Sequence, residues 1–234
     1  MPTALLRSRL WHRTCAAKKG TGHGETILFE LDGTLTDSGE GIINCAILAL
    51  EHFGCPIPDR EEMRTFVGPP LHESFIRHGV PADKTDEAIR VYRSRYIPIG
   101  AYENTPYPGV EELLKKLKAQ GHTLYVATSK PEEMSIKILQ HFGLSQYFDR
   151  ICGATMDTSR STKEDVIAYL LDLSGRDENI IMVGDTKFDV LGAKAHGIST
   201  IGVSWGYGTV EDMVSAGASA IAYTMEELYK LLST

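Results

Sequence analysis

The sequence predicts an α/β fold, a doubly wound parallel (Rossmann-like) sheet core with a small all-helical cap insertion. Three observations predict it. From Thr26 onwards, short apolar runs alternate with segments whose apolar residues recur at helical spacing. The run at 179–183 is apolar after its first residue, which is typical of a strand buried on both faces of a parallel sheet. The segment 59–104 differs from the rest, because it is polar, helical in period and lacks a strand pattern.

The first strand is expected at 27–29, an apolar run that ends before Gly33. A helix follows over 39–53, with Gly54 as its stop. A proline-rich turn at 106–109 then marks the return of the chain from the helical insertion.

Beyond this turn, units of strand and helix recur with the expected boundary signals. Pro131 occupies the favoured first position of one helix. Ser161-x-x-Glu164 and Thr224-x-x-Glu227 fit the pattern of a helix N-terminus. The predicted strands are 123–127, 150–152, 179–183, 200–203 and 220–222, and the predicted helices are 109–120, 131–143, 161–173, 187–195 and one from 224 onwards.

We therefore divide the chain into three parts. Residues 1–24 form an N-terminal extension, residues 39–105 form the helical cap, and residues 25–38 together with 106–234 form the α/β core. The extension is basic, free of acidic residues and without the apolar centre of a secretory signal. We expect it to be disordered or a misassigned start, and we keep an organellar targeting segment and a binding arm as alternatives.

Charge, hydropathy and cysteine content indicate which partners and which cellular location to expect. Residues 1–24 hold five of the 24 lysines and arginines and none of the 31 acidic residues, so the rest of the chain is strongly acidic. This argues against nucleic acid as a partner, and no apolar run approaches the roughly 20 residues of a membrane helix. The four cysteines are too sparse for a disulfide framework, which favours reduced thiols and a cytoplasmic location. We expect a monomer or a homodimer.

Side chains suited to phosphate chemistry follow the predicted strands. Glu30 and Asp32 stand two residues apart after the first strand and therefore point to one side. The carboxyl ends of parallel strands meet at the edge of the sheet that binds ligands. The other candidates at this edge are Thr128 and Ser129 after the second core strand, Lys163 at a helix start, and Asp185 with Asp189 after the most apolar strand.

Each of these motifs has a purely structural alternative. Asp32-Gly33 is a common turn dipeptide, while Thr128 and Asp185 also suit helix caps. Taken alone, Lys163 is typical of a solvated surface residue. Lys130 is the other lysine that could supply the positive charge of the site. A catalytic site is indicated only when all these motifs are considered together, in the order in which they occur.

That joint order resembles the haloacid dehalogenase superfamily, whose first motif is Asp-x-Asp-Gly-Thr-Leu. Here the motif reads Glu30-Leu31-Asp32-Gly33-Thr34-Leu35, so Glu30 replaces the nucleophilic aspartate. The resemblance implies that residue 30 attacks phosphorus to form an acyl-phosphate and that Asp32 is the general acid and base. Thr128 would donate a hydrogen bond to the phosphoryl group and Lys163 would balance its charge.

The resemblance also implies a cofactor and substrate contacts. Mg²⁺ would be held by carboxylates, as this hard cation prefers. The implied ligands are Glu30, Asp32, Asp185 and Asp189. The substrate would contact Gly33, Ser129 and Pro70, the last in a cap loop at 66–71 that alternatively is a turn between two helices.

Within the superfamily the chain looks closest to the phosphoglycolate-phosphatase-like and 5′-nucleotidase-like branch. We therefore expect a Mg²⁺-dependent phosphomonoester hydrolase that acts on phosphoglycolate or a nucleoside 5′-monophosphate. Because Glu30 is one methylene longer than aspartate, its carboxylate is displaced by roughly 1 Å or more, which costs about 10²-fold in rate. Two alternatives stay open: a weak or inactive member that binds a phosphate ligand, and a phosphomutase.

Overall fold

The computed structural model describes residues 24–175 and 179–233. The predictions for residues 1–23 lie outside this part of the chain. In chain order the strands are β1 Thr26–Phe29, β2 Thr36–Asp37, β3 Thr105–Pro106, β4 Thr123–Pro131, β5 Arg150–Ala154, β6 Ile180–Gly184, β7 Ser199–Val203 and β8 Ala220–Ala222. The α-helices are α1 Gly39–His52, α2 Arg60–Met63, α3 Leu71–Arg77, α4 Thr85–Tyr96, α5 Val110–Ala119, α6 Glu132–His141, α7 Lys163–Ser174, α8 Lys187–Ala195, α9 Val210–Ala216 and α10 Met225–Leu232.

Six strands form one sheet in the order β5-β4-β1-β6-β7-β8. All neighbouring pairs in it are parallel. The chain winds from β1 outwards through β4 to β5 and then returns to build the other half from β6. The sheet is therefore doubly wound, as predicted, and its switch point lies between β1 and β6, where such sheets bind ligands.

The core lies on both faces of this sheet. Ile27 and Phe29 belong to the larger apolar cluster, whereas Leu28 belongs to a second one with Ala127 and Met182. This alternation follows from the two-residue period of a strand, and it explains why β1 is apolar at every position after Thr26. No helix in the described ranges is both long and apolar enough to span a membrane.

The segment between β2 and β3 is helical. Helices α1 to α4 lie within it, and β2 and β3 pair antiparallel where the chain leaves and re-enters the sheet domain. Its interior is aromatic, with Phe75 packed edge-on against Phe66 and Tyr92. The domain boundaries at 39–105 remain a prediction built on this pattern.

Two local predictions are wrong by one residue. The capping box of α7 is formed by Thr162 and Asp165, not by Ser161 and Glu164. Thr162 has extended backbone, and its side chain accepts a hydrogen bond from the amide of Asp165. Pro131 ends β4 and precedes α6 instead of occupying its first position. At the last helix the prediction is confirmed, since Thr224 accepts from the amide of Glu227.

Candidate active site

The candidate residues converge at the carboxyl edge of the sheet, around the switch point. Glu30 follows β1 and continues its ladder, because its amide donates to the carbonyl of Val183 at 2.9 Å. Asp185 directly follows β6, and Thr128 lies near the end of β4. The order β4-β1-β6 therefore brings three predicted motifs side by side.

Glu30 is buried and both of its carboxylate oxygens are engaged. The hydroxyl of Thr128 donates to Oε1 at 2.7 Å, and the ammonium of Lys163 contacts Oε2. Thr128 Oγ also accepts from the amide of Lys130 at 3.1 Å, which fixes the hydroxyl. The glutamate therefore sits between a neutral donor and a cation, and both stabilise the negative charge of its carboxylate.

Lys163 is a buried cation that joins three elements. Besides Glu30, its ammonium contacts Asp189 Oδ1 at 2.9 Å and the carbonyl of Ala127 at 2.8 Å. Its side chain passes over Gly192 of α8, where an added Cβ would lie 2.6 Å from Lys163 Cγ. The corrected start of α7 makes Lys163 the first helical residue and directs it inwards. The solvated-surface alternative for Lys163 does not hold.

Both carboxylate oxygens of Asp189 also have partners within the protein. Its Oδ2 accepts from both the amide and the hydroxyl of Thr186 at 2.9 Å, which caps α8, while Oδ1 faces Lys163. The helix start and the ion pair thus use both oxygens. Asp189 orients Lys163 toward Glu30.

Asp185 is buried without a matching cation in the described residues. Its carboxylate accepts from the hydroxyl of Thr34 at 2.9 Å and from the amide of Tyr207 at 2.8 Å. Burial, reinforced by the nearby Asp189, raises the pKa of Asp185 to about 7. A positive charge at this point would stabilise the carboxylate.

Gly33 and Gly206 make room for Asp185. Gly33 has a φ of 78°, and a Cβ on it would lie 2.2 Å from Asp185 Oδ2. A Cβ on Gly206 would lie 2.3 Å from the same carboxylate. Gly33, predicted as a substrate contact, thus packs against Asp185.

Asp32 is paired with Lys130. The ammonium of Lys130 lies 2.8 Å from Oδ1 and 2.7 Å from Oδ2 of Asp32, and it also donates to the hydroxyl of Tyr96 at 2.5 Å. The two lysines weighed against each other in the sequence therefore serve different carboxylates. Tyr96, on α4, was missed, because a tyrosine in a helical apolar pattern carries no signal of its own.

A cavity of about 20 Å³ lies among the four acidic residues and is also bordered by Ser129. Its walls offer the hard carboxylate oxygens that Mg²⁺ prefers. Asp185, whose carboxylate has no positively charged partner among the described residues, lies beside it. Within the described ranges, no three acidic, histidine or cysteine side chains converge as a ready ligand set. Since Mg²⁺ takes only one or two protein carboxylates and keeps several waters, the site fits the ion.

A larger cavity of about 430 Å³ opens above Glu30 and Asp32, between the helical insertion and the sheet. Ser129 and Pro70, two predicted substrate contacts, border it. Much of its wall is apolar, and four partly exposed large side chains contribute to it. They are Ile97, Met156, Phe188 and Leu191.

Comparison with known proteins places this site in context. A family model described as haloacid dehalogenase-like hydrolase matches residues 27–203. A 5′-nucleotidase of Pseudomonas aeruginosa is 42% identical over 189 residues, which cover 80% of this chain and 86% of that protein. The tyrosine-protein kinase PtkA of Mycobacterium tuberculosis is 42% identical over 221 residues, 92% of this chain and 76% of that protein.

A solved structure agrees with the architecture. A protein described as a predicted phosphatase from Clostridium acetobutylicum superimposes with a TM-score of 0.86 at 41% identity. The match covers 90% of this chain and 99% of that one. The helical insertion and the sheet are therefore shared with a relative of nearly the same length.

Proposed function

The chain belongs to the haloacid dehalogenase-like hydrolase family, and we propose that it is a phosphatase that cleaves a small phosphomonoester through a covalent phosphoryl group on Glu30. The observation that carries the proposal is that both carboxylate oxygens of Glu30 have a partner in the site. Thr128 and Lys163 hold its two oxygens, and the Asp32–Lys130 pair lies at the same edge of the sheet.

In the first step, a carboxylate oxygen of Glu30 bonds to phosphorus and the bond from phosphorus to the leaving oxygen breaks. Asp32, whose carboxylate faces the Lys130 ammonium, first takes up a proton from water and then gives it to that leaving oxygen. Thr128 and Lys163 offset the charge that develops on the phosphoryl oxygens. In the second step, water attacks phosphorus, Asp32 takes its proton, and the bond to Glu30 breaks to release phosphate.

The proposed cofactor is Mg²⁺. Of the four carboxylates implied as ligands, Asp185 is the best suited to hold it, because Glu30, Asp32 and Asp189 each already face a lysine. When bound, the ion would neutralise charge on the phosphoryl group and on the crowded carboxylates. The chain's own residues fix Asp185 for that role through Thr34 and Tyr207.

The large cavity favours a nucleoside monophosphate over phosphoglycolate. Pockets for ligands of drug size have volumes of roughly 300–1,000 Å³ and mostly apolar walls. The cavity of about 430 Å³ falls in this range, whereas a two-carbon acid would leave most of it unfilled. The 5′-nucleotidase relative supports the same choice.

Glu30 itself favours a second candidate function, a weak or inactive family member that binds a phosphate ligand. Its extra methylene moves the attacking oxygen in a site where Thr128 and Lys163 are already in contact with it. This alternative predicts ligand and Mg²⁺ binding without turnover.

The test is phosphate release from a panel of phosphomonoesters with Mg²⁺ and with EDTA. The panel includes phosphoglycolate, nucleoside monophosphates and a sugar phosphate, whose isomerisation without phosphate release would indicate a phosphomutase. A further assay with ATP and a tyrosine-containing peptide tests for the tyrosine kinase activity that the name of PtkA describes. The parent, Glu30→Asp and the exposed-site control Glu211→Asp are compared. Metal-dependent release by the parent supports the proposal, release by Glu30→Asp alone favours the inactive member that binds a phosphate ligand, and absence of release in both overturns the proposal.

A further inference from the structure

We propose that Tyr96 is a positioning residue for the reaction, because it holds Lys130 and, through Lys130, the general acid and base Asp32. The inference rests on the proposed function. It adds a residue of the helical insertion to a catalytic group that otherwise belongs to the sheet. The chain of contacts runs from α4 to the carboxyl end of β4 and on to the loop after β1.

Two hydrogen bonds and an ion pair hold Lys130. Its ammonium donates to Asp32 Oδ1 at 2.8 Å and to the hydroxyl oxygen of Tyr96 at 2.5 Å, and it lies 2.7 Å from Asp32 Oδ2. The hydroxyl of Tyr96 therefore takes one of the three N–H groups of the ammonium and the carboxylate of Asp32 faces the others. The side chains of Lys130 and Asp32 are 5% and 12% exposed, so water is a poor substitute for a lost partner.

Packing fixes the tyrosine. Its ring stacks on Tyr92 with centroids 5.2 Å apart and an interplanar angle of 16°. The Lys130 ammonium also lies 5.0 Å from the centre of the Tyr96 ring. The ammonium of Lys130 is therefore held between the carboxylate of Asp32 and the phenol of Tyr96.

Loss of the Tyr96 hydroxyl would leave one ammonium N–H unpaired and let Lys130 turn away from Asp32. The proton donor would then be misplaced relative to the leaving oxygen. Proton donation matters most when the leaving group is a poor one, such as an alkyl alcohol, and least for a nitrophenol. A positioning role thus predicts a loss that depends on the leaving group.

The test compares Tyr96→Phe with Tyr125→Phe, in whichever of the parent and Glu30→Asp turns over faster. Tyr125 is half-buried on β4, the strand that carries Lys130, and its hydroxyl forms no hydrogen bond within the described residues. We expect Tyr96→Phe to lower kcat/KM, which reports the transfer of the phosphoryl group to residue 30, about 10-fold for an alkyl phosphate, a fraction of a full general-acid effect. For p-nitrophenyl phosphate we expect less than about a 2-fold change in kcat/KM, and Tyr125→Phe should leave the values for both esters as they were.

Equal losses of kcat/KM on the two esters, or no loss at all, would overturn the inference. A second measurement does not depend on turnover: the ¹⁵N-lysine NMR signal of the Lys130 ammonium. Its protons should be protected from exchange in the parent and in Tyr125→Phe and unprotected in Tyr96→Phe. Protection that survives Tyr96→Phe also overturns the inference. If no variant cleaves any ester, the proposed function fails by itself, and the NMR signal still decides the Tyr96–Lys130 contact.

Discussion

Replacing Glu30 with aspartate should raise phosphatase activity. The structure fixes where the glutamate carboxylate lies, since Thr128 contacts one oxygen and Lys163 the other. Lys163 is itself held by Asp189 at 2.9 Å and by the carbonyl of Ala127 at 2.8 Å, so it cannot follow a shorter side chain far. The substitution therefore withdraws the carboxylate and opens space between it and the lysine.

The expected magnitude follows from that displacement. One methylene moves the attacking oxygen by roughly 1 Å or more, and a misplacement of this order changes rates by about 10²-fold. A 10²-fold gain corresponds to about 2.7 kcal/mol of activation free energy. The gain should appear in kcat, because the substrate cavity above the residue is unchanged.

The assay is steady-state phosphate release with Mg²⁺ at saturating substrate. Glu211→Asp, the same change at an exposed residue of α9, is the control and should match the parent. A parent that already turns over rapidly and gains nothing from Glu30→Asp would refute the reasoning. It would mean that the backbone at residue 30 accommodates glutamate as a working nucleophile.

Three further predictions follow, two on the buried acid Asp185 and one on the corrected start of α7. Because burial raises the pKa of Asp185 to about 7, its proton competes with a metal ion below that pH. Mg²⁺ affinity should therefore rise between pH 6 and 8, and binding should release up to one proton. Calorimetry in buffers of different ionisation enthalpy measures both the affinity and the proton release. Asp185→Asn should abolish this dependence on pH. In the metal-free protein the proton bound to Asp185 contributes stability that is full below about pH 4, so the free energy of unfolding should fall as pH rises from about 4 to about 7 and level off above that. Thr162→Ala should lower the free energy of unfolding by about 1 kcal/mol in urea titrations, whereas Ser161→Ala should leave it nearly unchanged; equal effects would contradict the cap assignment.

The fold class was predictable because strand burial leaves a direct trace in the sequence. Residues 27–29 of β1 and 180–183 of β6 are apolar without a break, which is typical of strands covered on both faces of the sheet. The two errors, at Thr162 and Pro131, lie at helix starts, where neighbouring residues of similar capping ability compete and only the backbone geometry decides.

The site was predictable where a motif lies next to a strand end. Glu30 and Asp185 were found in this way, because parallel strands that end at one edge bring their following residues together. The partners that orient them were harder to find. Tyr96 reaches Lys130 from a distant helix of the insertion, and Tyr207 meets Asp185 through its backbone amide, which no side-chain pattern reveals.

The most direct test of the account asks where the phosphoryl group goes. Asp32→Asn removes the base that activates water, so a covalent intermediate should accumulate when this variant, alone and combined with Glu30→Asp, is incubated with substrate and Mg²⁺. Intact-protein and peptide mass spectrometry would locate it. The account predicts one phosphoryl group on residue 30 that is absent with EDTA. A phosphoryl group on Thr128 or Ser129, or turnover with residue 30 never modified, would contradict it.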